Sequence, residues 1–327
     1  MTALPAFQLL RPASLSEAVA ARQRYPGAAL LAGGTDLIPN LRHGLRHAPA
    51  LIDITGLPGL RDVAVEPAGL RIGAGVTLER LANDPLVGAR LPALAQAARQ
   101  VAAPAHRSVG TLGGNLCLDT RCIYYNQGEW WRRNNDFCLK YRGNRCHIAP
   151  AASRCQAAYS GDMAPVLLVL GAMVELGGAS GTRWTALESL FREDGAAHLR
   201  LADDEVLLAV RIAIDRGLVA GYEKARLRGA IDFPLAGVAV SLRRENDVVA
   251  HLCIAVTGTN SRPILLTGCD KLVGLPFDDK LLQQVEKLTQ KQVKPMRTTL
   301  APAHSRRRLA AAIAVRLSRR LWQATET

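Results

Sequence analysis

Cys122, Cys138, Cys146 and Cys155 are four of the seven cysteines in this 327-residue chain, and they share one stretch, CIYYNQGEWWRRNNDFCLKYRGNRCHIAPAASRC. Four thiolates are the ligand set of an iron–sulfur cluster or of a structural zinc ion, and His147 offers a zinc ligand beside any three of them. The spacing C-x15-C-x7-C-x8-C matches neither zinc ribbons nor the bacterial ferredoxin run. On spacing alone, a cluster, a zinc ion and four unrelated thiols all stay open. From Arg121 to Cys155 seven basic residues stand against two acidic ones, which suits an anionic metal–thiolate centre. Tyr124, Tyr125, Trp130, Trp131, Phe137 and Tyr141 give the stretch apolar rings to bury, and coordination would supply much of its folding energy.

Two glycine turns form the second group. AGGTD (Ala32–Asp36) and TLGGN (Thr111–Asn115) pair glycines with a Thr and an Asp or Asn. Paired glycines let backbone N–H groups approach a ligand closely, as an anion-binding nest. Two such turns from distant parts of the chain suit a diphosphate, as in a dinucleotide cofactor. No G-x-x-x-x-G-K-[ST] is present, and GAGVTLERL lacks the third glycine of the Rossmann fingerprint. There is no nucleophile elbow, no H-E-x-x-H and no acid–base pair, so no catalytic residue is expected. His106 precedes the second turn and is expected to be a surface or core histidine rather than a contact of whatever that turn holds.

The elements that must position these residues follow from periodicity and caps. SLSEAVAARQRY predicts a helix capped by its Ser, AALLAGGTD and APALIDITG predict strands, and LRIGAGVTLERL predicts a strand, a turn and a helix opening at Thr77. LPALAQAARQVA predicts a helix, GDMAPVLLVLGAMVELGG a helix leading into a strand, and DEVLLAVRIAI a strand. From about Leu218 the pattern predicts strands with an intervening helix, then two terminal helices, DDKLLQQVEKLTQK and SRRRLAAAIAVRLSRRLW. The last carries Leu309, Ile313 and Leu317 on one stripe, expected to pack on its own domain. The cysteine stretch is the only loop too long for a compact domain without a function of its own.

Composition narrows the class. No apolar run reaches membrane-spanning length, and the first residues show no secretory pattern, which predicts a cytoplasmic protein with reduced thiols and no membrane partner. The net charge of +13 suits an acidic partner. Nucleic acid is not expected, because the aromatic residues lack the signatures of RNA-binding sheets.

AGGTDLIPNLRHG, TLGGNL, GDMAPVLLVLGAMVEL, EVLLAVRI and YEKARLRGAIDFPLAGVAV occur in the order found in one family. Nearly end to end, the chain resembles the FAD-binding medium subunit of molybdenum hydroxylases, the xanthine dehydrogenase and carbon monoxide dehydrogenase group. The resemblance implies an α+β chain: a two-subdomain FAD-binding fold of the vanillyl-alcohol-oxidase (PCMH) type over residues 1–217, split near 56, and a C-terminal α+β domain over 218–327. It implies that Ala29, Leu30, Leu31, Ala32, Gly33, Gly34, Thr35 and Asp36, with Thr111, Leu112, Gly113, Gly114 and Asn115, contact the FAD diphosphate. It places Asp162 at the ribityl or ribose, Lys224 by the flavin, Leu207 packed nearby and Val101 at a further flavin contact. Within that family the cysteine insert, about residues 119–158, resembles the one in the β subunit of 4-hydroxybenzoyl-CoA reductase. This implies a [4Fe–4S] cluster on Cys122, Cys138, Cys146 and Cys155, a molybdopterin-binding large subunit, a [2Fe–2S] small subunit and a ferredoxin-like donor. Cys117, Cys253 and Cys269 are read as structural thiols.

Overall fold

The computed structural model describes residues 4–215, 217–297 and 301–325. The chain opens with β1 (Gln8–Leu10), α1 (Leu15–Arg24), β2 (Ala29–Leu31), α2 (Leu37–Arg42) and β3 (Ala50–Asp53). The strands form a parallel sheet in the order β1-β3-β2, with Leu9 opposite Leu51 and Leu30 opposite Ile52. Parallel neighbours need crossovers, and α1 and α2 supply them. As predicted, α1 starts where the Ser14 hydroxyl accepts the Glu17 N–H at 3.2 Å.

Next come β4 (Val63–Glu66), β5 (Gly69–Gly73), α3 (Leu78–Asn83), α4 (Pro85–Arg90), α5 (Pro92–Gln100), α6 (Pro104–Arg107), α7 (Leu112–Leu116), α8 (Glu129–Asn134), α9 (Met163–Val169), β6 (Met173–Gly178), β7 (Gly181–Ala186) and β8 (Val206–Ile212). Their strands make an antiparallel sheet, β4-β5-β8-β6-β7. Leu70, Ile72, Val174, Val210 and Ile212 turn one face into a core with Leu94 and Ala97 of α5 and Val166 and Leu167 of α9. Thr77 caps α3 by accepting the Arg80 N–H at 3.2 Å.

The last part holds β9 (Val219–Ala225), β10 (Ala236–Glu245), β11 (Val248–Thr257), β12 (Ile264–Leu265), α10 (Asp279–Gln292) and α11 (Ala303–Ala324). The antiparallel sheet β12-β11-β10-β9 has two buried faces. Val238, Val240 and Leu242 face the terminal helices, where Ile313, Leu317 and the half-buried Leu309 confirm the expected stripe. Alternate residues such as Tyr222, Ala239 and Ala255 join the core of α5 and α9 instead. This second face is what brings β9 to the site.

Two expectations need correction. No helix lies between β9 and β10: residues 226–235 form a loop. Asp232 folds it back by accepting the N–H groups of Leu227 at 3.0 Å and Arg228 at 3.1 Å, and Ile231 takes a positive φ of 51°. Nor do all the aromatic residues of the cysteine insert bury, since Trp130 is 77% exposed.

Candidate functional site

The two glycine turns, far apart in sequence, are pressed together. A Cβ on Gly33 would sit 2.0 Å from the Val109 carbonyl oxygen and 2.9 Å from the Gly110 Cα, and one on Gly110 would meet the Thr35 hydroxyl at 3.5 Å. Glycine at 33 is therefore what permits the first turn to touch the segment leading into the second. Between them opens a cleft of about 730 Å³, within the range of sites for sizeable ligands. Ala29, Leu30, Ala32, Gly33, Gly34, Thr35 and Asp36 line it, as do Thr111, Gly113, Gly114, Asn115, Val101, Asp162, Leu207 and Lys224. Leu31 and Leu112 do not: Leu31 packs under the first sheet and Leu112 is wholly buried in the central core.

The turns differ in what they offer. Among the described residues, the backbone N–H groups of Gly33, Gly34, Thr35 and Asp36 donate to no protein acceptor, the condition for an anion nest. The second turn spends its N–H groups within the protein. Its Leu112 and Gly113 N–H groups donate to the Val76 and Ala74 carbonyls at 2.9 and 2.8 Å, and the Gly114 N–H to the Thr111 hydroxyl at 3.0 Å. TLGGN is thus the start of α7, capped by Thr111, and its Gly113 admits close packing on Ala74. Asn115 likewise turns its amide oxygen to the Met163 N–H at 3.0 Å, capping α9 from outside.

Asp36 would repel a phosphate if left alone, but Arg121 forms an ion pair with it. The same guanidinium donates to Asn40 at 3.2 Å and lies 5.0 Å from the centre of the Phe233 ring. Arg121, Asp36 and Phe233 all line the cleft, so an arginine at the entrance to the cysteine insert becomes part of the site.

At the other end, Asp162 and Lys224 are placed against each other. The Lys224 ammonium donates to Asp162 Oδ2 at 3.0 Å and to the Gln100 carbonyl at 3.3 Å, and the Tyr222 hydroxyl donates to Asp162 Oδ1 at 2.5 Å. Both charged side chains are almost fully buried, at 1% and 4% exposure, so each depends on the other for solvation. Strand alternation sends Tyr222 and Lys224 to this face, while Glu223 points to Arg316 and Arg320 of α11. Burial pushes the Asp162 carboxyl upward, and the ammonium and the phenol pull it back. The same burial drives the Tyr222 hydroxyl well above its ordinary range, which keeps it a donor.

Three further residues of the cleft escaped the sequence reading. His198 is buried, and its Nε2 has no partner among the described residues. Burial pushes its imidazole down to about 4, so the ring is neutral at pH 7. Asp119 and Arg121 belong to the mouth of the insert. A lone His in AAHLRL, and charges at the edge of a loop, carry no periodic or motif signal; Tyr222, which supports Asp162 from outside the cleft lining, was findable by alternation from Lys224 on the same strand. Cys117, read as a core thiol, packs on the central core but also lines the cleft, and burial raises it to about 12.

The insert is a closed loop. Arg121 and Ala158 exchange backbone hydrogen bonds at 2.7 and 2.8 Å across its base. Buried Arg132 donates to the Gly44 carbonyl at 2.7 Å and stacks over Tyr125 and Tyr141, while the Tyr125 hydroxyl reaches the Leu45 carbonyl. Inside, Cys122, Cys138, Cys146 and Cys155 all line one small cavity, together with Leu139, Ile148, Ala157 and Lys140. All four are free thiols, and burial raises Cys122 and takes Cys155 up to about 12. Among the described residues, no three His, Cys, Asp or Glu side chains are gathered as the ligands of a single metal ion are. His147 is engaged elsewhere, its Nε2 bonded to the Phe137 carbonyl and its ring stacked 5.2 Å from Tyr124.

Comparison with known proteins accounts for both the cleft and the frame around it. Residues 5–213 match the FAD binding domain in molybdopterin dehydrogenase, and residues 220–321 the CO dehydrogenase flavoprotein C-terminal domain. The chain is 30% identical over 284 residues to the carbon monoxide dehydrogenase medium chain of Hydrogenophaga pseudoflava, covering 85% of this chain and 84% of that one. It is 33% identical over 250 residues to an aldehyde oxidoreductase FAD-binding subunit of Escherichia coli, covering 73% and 78%. A solved structure of carbon monoxide dehydrogenase from Hydrogenophaga pseudoflava superimposes with a TM-score of 0.81 at 25% identity, over 98% of this chain and 99% of that one. The free N–H groups of the first turn, the charge-neutralised Asp36 and the long cleft behind them fit a dinucleotide flavin. The chain belongs to the FAD-binding medium subunits of the molybdenum hydroxylase family.

Proposed function

We propose that this subunit carries FAD in the cleft and a [4Fe–4S] cluster in the cysteine insert, and serves a molybdenum reductase that removes the phenolic hydroxyl of 4-hydroxybenzoyl-CoA. In this reading, electrons from a low-potential, ferredoxin-like donor reach a [2Fe–2S] small subunit and a molybdopterin-binding large subunit by way of this chain. A flavin suits the middle of such a route because it exchanges electrons singly or in pairs.

One observation carries the reading: four unpaired thiols, drawn from residues 122–155, surround a single cavity beside the cofactor cleft. A zinc ion needs all its sulfurs about 2.3 Å from one point. A four-iron cluster takes one thiolate per iron and so accepts ligands spread around a cavity. The apolar walls from Leu139, Ile148 and Ala157 and the nearby ammonium of Lys140 suit an anionic centre shielded from water.

Cys122, Cys138, Cys146 and Cys155 would hold the cluster. The first glycine turn, Arg121 and the Asp162–Lys224 pair would position FAD. With FAD bound, the ammonium of Lys224 favours an anionic reduced ring. The test is anaerobic purification with iron, labile sulfide, zinc and flavin counts on the wild type and on Cys138→Ser. The expected result is FAD in both proteins and a loss of about four irons in the variant, the full complement of such a cluster. Zinc without sulfide in the wild type would support a second reading, an oxidative hydroxylase subunit with a metal-braced insert. The dehydrogenase name of the Hydrogenophaga pseudoflava relative favours that direction of electron flow.

A further inference from the structure

The two cavities share a wall, and a charge pair stands in it. Asp119 lines the cofactor cleft, whereas Lys140 lines the cysteine cavity. Their side chains meet at 2.8 Å. Lys140 is only 6% exposed, and its ammonium also donates to the Thr120 carbonyl at 2.8 Å and to the Thr120 hydroxyl at 2.5 Å. Three N–H donors therefore find three oxygens, none of them on a sulfur. The Thr120 hydroxyl is fixed in turn on the Gly195 carbonyl at 2.5 Å, and the Gly195 N–H donates to the Cys155 carbonyl at 2.9 Å. The Tyr125 ring lies 4.8 Å from the ammonium on the remaining side. Lys140 is thus a desolvated cation held at one point, between the thiols and the cleft.

We infer that the Lys140–Asp119 pair is the electrostatic link between the two cavities: Lys140 is the fixed cation that sets the reduction potential of the thiolate-bound centre, and Asp119 carries the opposing charge to the flavin side. The assignment rests on the reading of the cysteine cavity as a metal–thiolate site. Its physical basis is that a buried unit charge acts over several ångströms with little screening. On the cleft side both charges act on His198, Asp119 raising and Lys140 lowering its imidazole.

The pair also pins the insert, and a merely structural pin would make similar predictions for folding. The sign of the potential shift separates the two roles. A cation stabilises the reduced, more negative state, so Lys140→Met is expected to lower the potential of the metal centre. Asp119→Asn leaves the ammonium unopposed and is expected to raise it. Lys140→Arg should restore the wild-type value. Each charge change is expected to shift the one-electron reduction equilibrium at least tenfold, about 59 mV. The flavin should follow with the same signs.

The experiment is anaerobic redox titration of the complete complex, followed by flavin absorbance and by the paramagnetic signal of the reduced centre, with iron and FAD counted in each variant. Opposite shifts in Lys140→Met and Asp119→Asn, at full iron and flavin content, bear the inference out. Full iron with unchanged potentials, or shifts of one sign in both variants, overturns it and leaves the metal site standing. If Lys140→Met fails to fold, Lys140→Arg and Asp119→Asn still report: equal potentials in those two overturn the link. A wild type that holds FAD but no iron overturns both this inference and the reading beneath it.

Discussion

Gly33→Ala tests the contact on which the cofactor cleft depends. The added methyl would lie 2.0 Å from the Val109 oxygen and 2.5 Å from the Val109 carbonyl carbon, both backbone atoms. Ordinary contact begins near 3.4 Å, so the two turns would have to part by about 1.4 Å, since no flexible side-chain tip can swing aside. Overpacking of this kind costs about 3 kcal/mol at the upper end of the usual range. The donors of the first turn would move with it, and each charge-assisted hydrogen bond lost to a diphosphate is worth roughly 1.5–3 kcal/mol. Losing two gives a fall in FAD affinity of at least about a hundredfold. Gly56→Ala is the control, because a Cβ there meets nothing within 4 Å. Flavin absorbance of the purified variants, with thermal melting with and without added FAD, reads the outcome. Gly33→Ala should emerge flavin-poor, with a melting point that added FAD hardly moves, whereas Gly56→Ala should match the wild type. A Gly33→Ala protein with full flavin and unaltered melting would refute the packed-turn account of the cleft.

Tyr222→Phe leaves a buried carboxylate one donor short and should cost about 1–3 kcal/mol in denaturant unfolding, with FAD retained more weakly. Lys224→Met strands Asp162 as an uncompensated buried charge, and a loss of about 3–5 kcal/mol is expected, which Asp162→Asn in the same chain should partly relieve. His198 supplies a pH dependence. Its folded value lies near 4, below the ordinary 6.5, so its contribution is complete above pH 6.5 and is lost as the pH falls towards 4. The full loss is about 3 kcal/mol on the linkage relation. Melting curves from pH 7.5 to 4 should therefore fall less steeply for His198→Gln than for the wild type, and parallel curves would remove His198 from the account.

Much of the frame was legible because it obeys local rules. Ser14 and Thr77 cap the helices they were expected to cap, and the stripe of Ile313 and Leu317 packs where its period required. The helix expected among the strands after Leu218 is absent among the described residues, and between β9 and β10 Gly229, Pro234 and the backbone-binding Asp232 favour a turn. The site was legible only in part, for a similar reason. Glycine pairs mark places where backbone must come close, without saying whether to a ligand or to the protein itself. Gly33 and Gly34 belong to a turn with free donors, but Gly113 serves packing on Ala74. Asp119, Lys140 and His198 were invisible because their partners are set by tertiary contacts between segments up to 80 residues apart, and nothing in the local sequence encodes those contacts.

A long insertion in a surface loop is tolerated readily, because the entropy of closing a loop rises slowly with its length. Mere tolerance would leave the insert loosely attached, with its polar groups in water. Here its base is latched by Arg121 and Ala158, its flank is pinned through Arg132 and Tyr125 to residues 44–45, and its interior ammonium is satisfied by oxygens from the neck. Burying Arg132 and Lys140 together costs several kcal/mol in desolvation, so each needs partners that fix it in place. That cost is offset by the Gly44 carbonyl and two tyrosine rings at Arg132, and by Asp119 and Thr120 at Lys140. Four thiols line one cavity beside Lys140, and the arginine at the insert's entrance, held on Asp36 and stacked on Phe233, ties the insert directly to the flavin cleft.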